Sequence, residues 1–293
     1  MPITSTADVA AAYAAGRAHT QRFFKNAGSA GDNRWHDWAY ASGQPAYDAR
    51  IGEALAFRPI DATRNDAIFF PPIAAGQTRH LTEISVFCGA TGTDLLSQCF
   101  ELYDLLGVYP LIDGGSIDEQ IMTNAASLPR YGDGVGVRAV LVNHVAPATT
   151  GSVPIVISYV DADDVSRDLT VYSTTDGLGT IAVTIRSSGG GNQGLLYLPT
   201  EGAGVKSITS VTFGGDAGGF WCVYLVKPIS RIDWQGGVVA EQRTVFSVKN
   251  FATHNAFDFP QIHDGAALGF FVLRTGAIAR SVSIFGTASF VWG

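Results

Sequence analysis

A turn motif that occurs three times constrains the fold of this 293-residue chain more than any other feature. In each copy an apolar residue and a proline precede an acidic residue, a glycine and an apolar run. The first copy contains Asp133-Gly-Val-Gly-Val-Arg138, the second contains Glu201-Gly-Ala-Gly-Val-Lys206, and the third contains Asp264-Gly265 after Phe259-Pro260. The acidic residues stand at positions 133, 201 and 264, a spacing too long for a solenoid repeat. The motif therefore indicates a recurring β unit.

Each copy is predicted to be a turn that begins a strand. Proline holds the residue before it in an extended conformation, and a glycine after an acidic residue permits the positive φ of a tight turn. The predicted strands cover 138–145, 207–213 and 268–274. The dipeptides interpreted as structural turns are Asp133-Gly134, Glu201-Gly202 and Asp264-Gly265. We predict no metal at these acids, because calcium needs several oxygens close together. Arg138 and Lys206 are the expected ionic partners of the first two.

Strand-like runs dominate the chain from residue 81 onward. They are rich in β-branched and aromatic residues and are bounded by Gly, Pro, Asp or Ser. The predicted strands are 81–88, 98–104, 137–145, 153–160, 168–173, 180–186, 207–213, 219–227, 238–248, 268–274 and 281–292. This pattern is typical of a mainly β protein with a β-sandwich or jelly-roll body.

The N-terminal region is predicted to differ from this body. Ser5 and Asp8 fit a helix cap, and the Ala-rich segment 7–25 is predicted to be helical. We therefore divide the chain into an N-terminal helix with an aromatic extension (1–79) and a β body (80–293), with a further boundary near residue 150. The terminal helix is expected to dock on its own domain or to reach a neighbouring subunit.

The composition restricts the classes of partner. Charged residues make up 15% of the chain, against about 25% in typical domains, so we expect much of the exterior to be buried against other copies or another protein. A net charge of −7 excludes nucleic acid binding by the chain as a whole. With no signal peptide and no apolar run of spanning length, we expect a soluble protein made in a cytoplasm. The three cysteines, Cys88, Cys99 and Cys222, are predicted to be buried thiols.

The candidate motifs for catalysis and cofactor binding in the sequence are all incomplete. Gly189-Gly-Gly-Asn-Gln-Gly194 satisfies a dinucleotide pattern, but Pro199 follows too soon for the helix that would hold a pyrophosphate. The segment 161–168 begins like a calcium loop yet has Ser where the loop needs glycine, so a solvated hairpin loop is predicted. The histidines show no metal or triad spacing. We predict no enzyme, no cofactor, and no catalytic, cofactor-binding or metal residue.

Several segments resemble a group of tailed-bacteriophage virion proteins that are classed as structural. The most specific is Leu128-Pro-Arg-Tyr-Gly-Asp-Gly-Val-Gly-Val-Arg-Ala-Val-Leu-Val142, and shorter ones are Trp35-His-Asp-Trp38, Asp264-Gly-Ala-Ala-Leu-Gly-Phe270 and Phe290-Val-Trp-Gly293. The resemblance spans most of the chain. It implies an auxiliary head protein that decorates or cements a capsid, with the major capsid protein of the same phage as partner. It also implies a virion location after assembly in the host bacterial cytoplasm, and a homotrimer.

The aromatic N-terminal region is the predicted contact surface, chiefly Phe23, Phe24, Trp35 and Trp38. Large aromatic rings dominate both cores and interfaces, so this placement is a hypothesis about burial between chains. The alternative function is a tail, neck or spike structural protein that uses the same aromatics to bind a host glycan. A glycan-cleaving enzyme would need two carboxylates across a groove, and the sequence selects no such pair.

Overall fold

In a computed structural model of the chain, the described residues are 3–27, 34–37, 42–46, 52–61, 67–90, 98–144, 152–174, 184–185, 203–234, 246–248, 259–274 and 282–293. They contain one helix, α1 (Thr6–Ala14). The strands are β1 (Ala18–Ala27), β2 (Arg34–Asp37), β3 (Ser42–Gln44), β4 (Arg58–Pro59), β5 (Arg79–Ala90), β6 (Gln98–Asp113), β7 (Gln120–Ile121), β8 (Arg138–Asn143), β9 (Ser152–Asp161), β10 (Ser166–Thr174), β11 (Thr184–Ile185), β12 (Val205–Phe213), β13 (Phe220–Trp234), β14 (Phe246–Val248), β15 (Gln261–Ile262), β16 (Leu268–Arg274) and β17 (Val282–Trp292). The prediction of a mainly β chain with a sandwich-like body and an N-terminal helix is confirmed.

The described strands form three antiparallel sheets. Sheet I has the order β14-β5-β17-β1-β3, with β15 also paired to β5. Sheet II has the order β10-β9-β12-β7, and sheet III has the order β13-β8-β11-β2-β16-β6-β4. Strand β6 also pairs with β13, so six strands of sheet III close into a ring. Such closure removes the free edges that an open sheet would present.

The long β6 and β13 strands connect two hydrophobic cores. Residues at one end of this ribbon, such as Phe100 and Leu102 of β6, pack with sheet I. Tyr109 and Ile112 at the other end of β6 pack with the apolar face of sheet II. A third cluster, which includes Trp35, lies in sheet III. Because alternate residues of a strand face opposite sides, Tyr103 and Leu105 of β6 point into this third cluster instead.

The predicted helix over 7–25 is wrong beyond residue 14. Ser5 caps α1 as predicted, since its hydroxyl accepts a hydrogen bond from the Asp8 amide. The helix then ends before Gly16, whose φ of +68° suits a helix terminus. The remainder becomes β1, which pairs along its whole length with β17, from Ala18↔Val291 to Ala27↔Val282. Helix propensity is a weak signal that tertiary pairing overrides.

The three strands predicted to follow the repeated turns are present. They are β8, β12 and β16, and the bounds of β16 agree with the prediction. Two strands from the predicted N-terminal extension, β1 and β2, pair with β17 and β16 of the body. Cys222 is buried, as predicted.

Candidate functional site

The first and third copies of the turn motif meet at a buried ion pair. The Arg130 guanidinium donates to both carboxylate oxygens of Asp104, at 2.8 and 2.7 Å, and also to the carbonyls of Ile60 and Leu105. The same Asp104 carboxylate accepts a hydrogen bond from the Ala267 amide in the third copy, at 2.9 Å. Burial raises the pKa of Asp104, and Arg130 and Ala267 act against that rise. One carboxylate therefore holds two copies of the motif together.

The first and second copies touch through their glycines. Val135 and Gly204 form an isolated antiparallel bridge, and the Gly136 amide donates to the Ala203 carbonyl at 2.7 Å. A Cβ on Gly204 would lie 2.0 Å from the Gly134 carbonyl oxygen, so only glycine allows this approach. The three copies, recognised in the sequence as separate turns, form one assembly that we call the repeat junction: residues 130–137, 203–205 and 263–267, with Asp104.

The two described acids of the motif, Asp133 and Asp264, accept hydrogen bonds from different groups. Asp133 accepts a hydrogen bond from the Val135 amide at 3.1 Å, which closes a local turn. Asp264 is exposed and pairs at 3.0 Å with the buried guanidinium of Arg79. Glu201-Gly202 lies outside the described residues. Both described acids therefore bind groups of their own chain.

Glu201, the expected partner of Lys206, lies outside the described residues. In the structure Lys206 pairs with Asp164 at 2.6 Å. Asp164 belongs to the loop between β9 and β10, and its side chain is 75% exposed. The second copy is thus tied to that loop by a solvent-exposed ion pair, which contributes little to stability.

A cluster of polar and aromatic side chains, made of Tyr131, His263 and Lys227, packs at the repeat junction. Tyr131 has a φ of +53°, and its ring lies edge-on to His263 with the ring centroids 4.7 Å apart. The Lys227 ammonium lies 5.0 Å from the centroid of the Tyr131 ring and donates to the Val135 carbonyl at 2.9 Å. Burial raises the pKa of Tyr131 and lowers that of Lys227. These contacts hold the turns in place, because polar groups of the turns bind one another.

The predicted hairpin loop at 161–168 has the geometry of a self-contained turn. The buried Asp161 carboxylate accepts from the amides of Asp163 and Val165, both at 2.9 Å, and from the Arg167 guanidinium. These bonds, led by Arg167, lower the pKa of Asp161. Its oxygens are therefore committed to the loop. Among the described residues, no group of three His, Cys, Asp or Glu side chains could hold a metal ion.

The aromatic residues that were predicted to contact a partner differ in their burial. Phe23 is only 4% exposed and packs against Phe270, with ring centroids 4.9 Å apart. Trp35 is 2% exposed within sheet III. Phe24 is 44% exposed, and Trp38 lies outside the described residues. Of the three described residues, Phe24 is the one that can meet a partner without rearrangement of the chain.

Phe24 lies in an open groove on sheet I. The groove has a volume of about 570 Å³, and its lining includes Arg22, Phe24, Gln44, Phe285 and Thr287. Phe24 and Phe285 are directly opposite each other on β1 and β17, so they form a cross-strand aromatic pair. The groove combines an apolar floor with one guanidinium, two side-chain amides and one hydroxyl, which suits contact with a protein surface.

Substitution of each of the two adjacent phenylalanines tests the assignment of Phe23 to the core and of Phe24 to the surface. We expect Phe24→Ser to change the free energy of unfolding by less than about 0.5 kcal/mol, as at other surface positions. Phe23→Leu should lower it by about 1–2 kcal/mol, because it leaves a cavity against Phe270. Urea denaturation followed by tryptophan fluorescence measures both. Equal losses for the two variants would contradict the assignment of Phe24 to an exposed surface.

Sequence reasoning missed Asp104, Arg130 and Arg79. Each is a charged residue that is buried: Asp104 is 0% exposed, Arg79 1% and Arg130 8%. A signal for Asp104 was available, since it is a charged residue inside the apolar run of β6. Buried charges need partners, so such a residue predicts a buried counter-ion. Arg130 lies inside the repeated motif, but no role was assigned to it there.

No protein-family profile matches the chain, and no curated protein matches it. Among solved structures, the chain is weakly similar to a chain of T=1 particles derived from infectious bursal virus, with 11% identity and a TM-score of 0.22. That similarity covers 94% of this chain and 77% of the other. The VP2 subviral particle of infectious bursal disease virus gives 10% identity, a TM-score of 0.20, and coverage of 94% and 80%. At these TM-scores the similarity to viral capsid proteins is too weak to support a shared fold or function. No helix within the described segments has the length and apolar character needed to cross a membrane.

Proposed function

We propose that the chain is a structural virion protein that binds the outside of a phage capsid and stabilises the shell. The partner is the major capsid protein of the same phage, and the chain assembles as a homotrimer. The resemblance of the 128–142 stretch to phage virion proteins carries this proposal. That stretch contains Arg130, Gly134 and Gly136, which build the repeat junction, so the resemblance falls on residues that determine the fold.

The surface chemistry supports a role in contacts between proteins. The chain has few charged residues, and the Phe24–Phe285 pair presents apolar area in an open groove. The mechanism is mechanical: a protein that bridges neighbouring shell subunits buries surface on both and raises the barrier to their separation. Interfaces of about 1,500 Å², repeated over a lattice, bind strongly through multivalency even when each contact is weak.

Co-sedimentation with particles tests the proposal. Purified protein is mixed with capsids that lack it and, separately, with tails that lack it, and the loaded capsids are then heated or osmotically shocked. We expect saturable binding to capsids and a larger fraction of intact particles after the challenge. Sedimentation velocity of the free protein should give the mass of three chains.

The same experiment has an outcome that contradicts the proposal. Binding to tails or host cells without binding to capsids would replace it with the alternative of a tail, neck or spike protein that recognises a glycan. Phe24→Ser is the matched variant for the capsid arm, because the side chain is exposed and its loss should spare the fold. Weaker capsid binding by this variant would place the contact at the groove.

A further inference from the structure

The two most exposed large apolar side chains among the described residues lie close together in the chain, on the loop that joins β6 to β7 and at its end. Ile117 is 64% exposed and Ile121 is 65% exposed. Phe220, at the start of β13, is 43% exposed and pairs with Asp113, where the loop begins. The three apolar side chains therefore belong to the same end of the β6 and β13 ribbon. Exposed apolar side chains that are grouped in this way mark interaction surfaces.

Hydrogen bonds hold this loop in one conformation. The side-chain oxygen of Gln120 accepts from the Asp113 amide, and the side-chain nitrogen of Gln120 donates to the Asp113 carbonyl, both at 2.8 Å. The Gly114 carbonyl accepts from the amides of Ala217 and Gly218, at 2.7 and 3.0 Å, and these bonds tie the loop to the one that precedes β13. A surface that is already ordered loses little conformational entropy when it binds a partner.

Exposed acidic residues accompany the apolar side chains on these two loops. They are Asp113, Asp118, Glu119 and Asp216. A Cβ on Gly115 would lie 3.3 Å from an Asp113 oxygen and 3.8 Å from an Asp216 oxygen, so the two loops bring their carboxylates together. No Lys or Arg occurs in segments 105–129 and 207–226. We call the three apolar residues and the four acids the distal patch. Its negative charge is complementary to a partner surface that carries Lys or Arg.

The distal patch lies far along the ribbon from the groove on sheet I. Leu102 packs with sheet I, whereas Ile112 packs with sheet II. The stretch of β6 between these two residues is about 33 Å long. A protein that bridges two shell subunits needs two separate contact surfaces, and the groove supplies one of them in the proposed function. The distal patch is placed to supply the other.

We propose that the distal patch is a second contact with the shell, in which Ile117 and Ile121 enter an apolar pocket of the major capsid protein that is bordered by Lys or Arg side chains. Burial of the isoleucines gives affinity, and the acids give orientation and exclude the same patch of a second copy, because like charges repel. This inference rests on the proposed function and adds to it the position and the chemistry of a second contact.

A variant of the two isoleucines tests the apolar part of this contact. Ile117→Ser/Ile121→Ser should raise the Kd for capsids that lack the protein by at least about tenfold in co-sedimentation. Both side chains are exposed, so thermal unfolding should be unchanged. Val165→Ser is the matched control, because Val165 is 45% exposed on the loop between β9 and β10. That variant should bind as the parent chain does.

Particle survival at equal occupancy separates bridging from simple binding. Each protein is added at about ten times its own Kd, so that the parent chain and the variants fill the capsid sites to the same extent. The loaded capsids are then heated. We expect the parent chain and Val165→Ser to increase the fraction of intact particles, whereas the isoleucine variant should give no increase, because a chain held by one contact does not connect two subunits.

Neutral variants of the acids test the charge of the partner. Asp118→Asn/Glu119→Gln should raise the Kd by about threefold and make it less dependent on the NaCl concentration, since fewer charges face the basic border. Asp163→Asn removes an exposed acid from the loop between β9 and β10 and should leave the salt dependence unchanged. Tighter binding by the Asp118/Glu119 variant would overturn the assignment of a basic partner surface.

The outcomes distinguish this inference from the proposed function. If the parent chain does not bind capsids, both are wrong. If the parent chain binds and the folded isoleucine variant binds and stabilises particles equally well, the distal patch is not a contact and the proposed function stands. Sedimentation velocity gives a further check, because a lower mass for the free isoleucine variant than for the free parent chain would assign the patch to contacts between copies and overturn the inference.

Discussion

Replacement of Asp104 by asparagine should lower the free energy of unfolding by about 3–5 kcal/mol, since it leaves the buried Arg130 guanidinium without its counter-charge. Asparagine has nearly the same shape as aspartate and can still accept the hydrogen bond from the Ala267 amide, so the loss reports the charge rather than a cavity. The carboxylate is 0% exposed, and water cannot replace it as a partner for Arg130. Urea denaturation followed by tryptophan fluorescence measures the loss.

A double-mutant cycle shows whether this loss belongs to the ion pair. Arg130→Met removes the guanidinium, and the double variant Arg130→Met/Asp104→Asn should be more stable than the sum of the two single losses predicts, by about 2 kcal/mol. The exposed pair of Lys206 and Asp164 is the matched control, and Asp164→Asn should lower stability by less than about 1 kcal/mol. Additive losses at Asp104 and Arg130 would show that the two side chains act separately and that the repeat junction does not depend on their contact.

The elements that sequence predicted well are those that depend on neighbouring residues. A turn of acid and glycine followed by β-branched residues is a local pattern, and β16 begins and ends where it was predicted. The junction of the three turns depends on contacts between segments far apart in the chain. Arg130 and Asp104 are 26 residues apart, with β7 between them, and no local periodicity pairs them.

The contrast between Phe23 and Phe24 shows why the contact surface was only partly predictable. Residues 7–25 were interpreted as a helix, in which adjacent side chains are about 100° apart and can both border one apolar stripe. In β1 adjacent side chains point to opposite faces, so Phe23 enters the core and Phe24 remains exposed. The strand assignment follows from pairing with β17 at the other end of the chain, which no local signal reveals.

The second large effect is expected at Gly204. A Cβ at this position would lie 2.0 Å from the Gly134 carbonyl oxygen and 2.8 Å from the Gly136 nitrogen, and both are backbone atoms that side-chain rotation cannot move. Gly204→Ala should therefore lower the free energy of unfolding by about 3 kcal/mol, at the upper end of what overpacking produces. Gly132→Ala is the matched control, because a Cβ there has no atom within 4 Å and the residue belongs to the same motif.

Hydrogen exchange locates the damage that Gly204→Ala causes. The Gly136 amide donates to the Ala203 carbonyl, so its exchange should accelerate when the added methyl group pushes the two copies apart. The Ala267 amide, which donates to Asp104 across the other contact of the junction, should keep its protection. Faster exchange at both amides would mean that the three copies open as one cooperative unit, so that loss of one contact opens the whole repeat junction. Unchanged exchange at Gly136 would contradict the close packing of the first two copies.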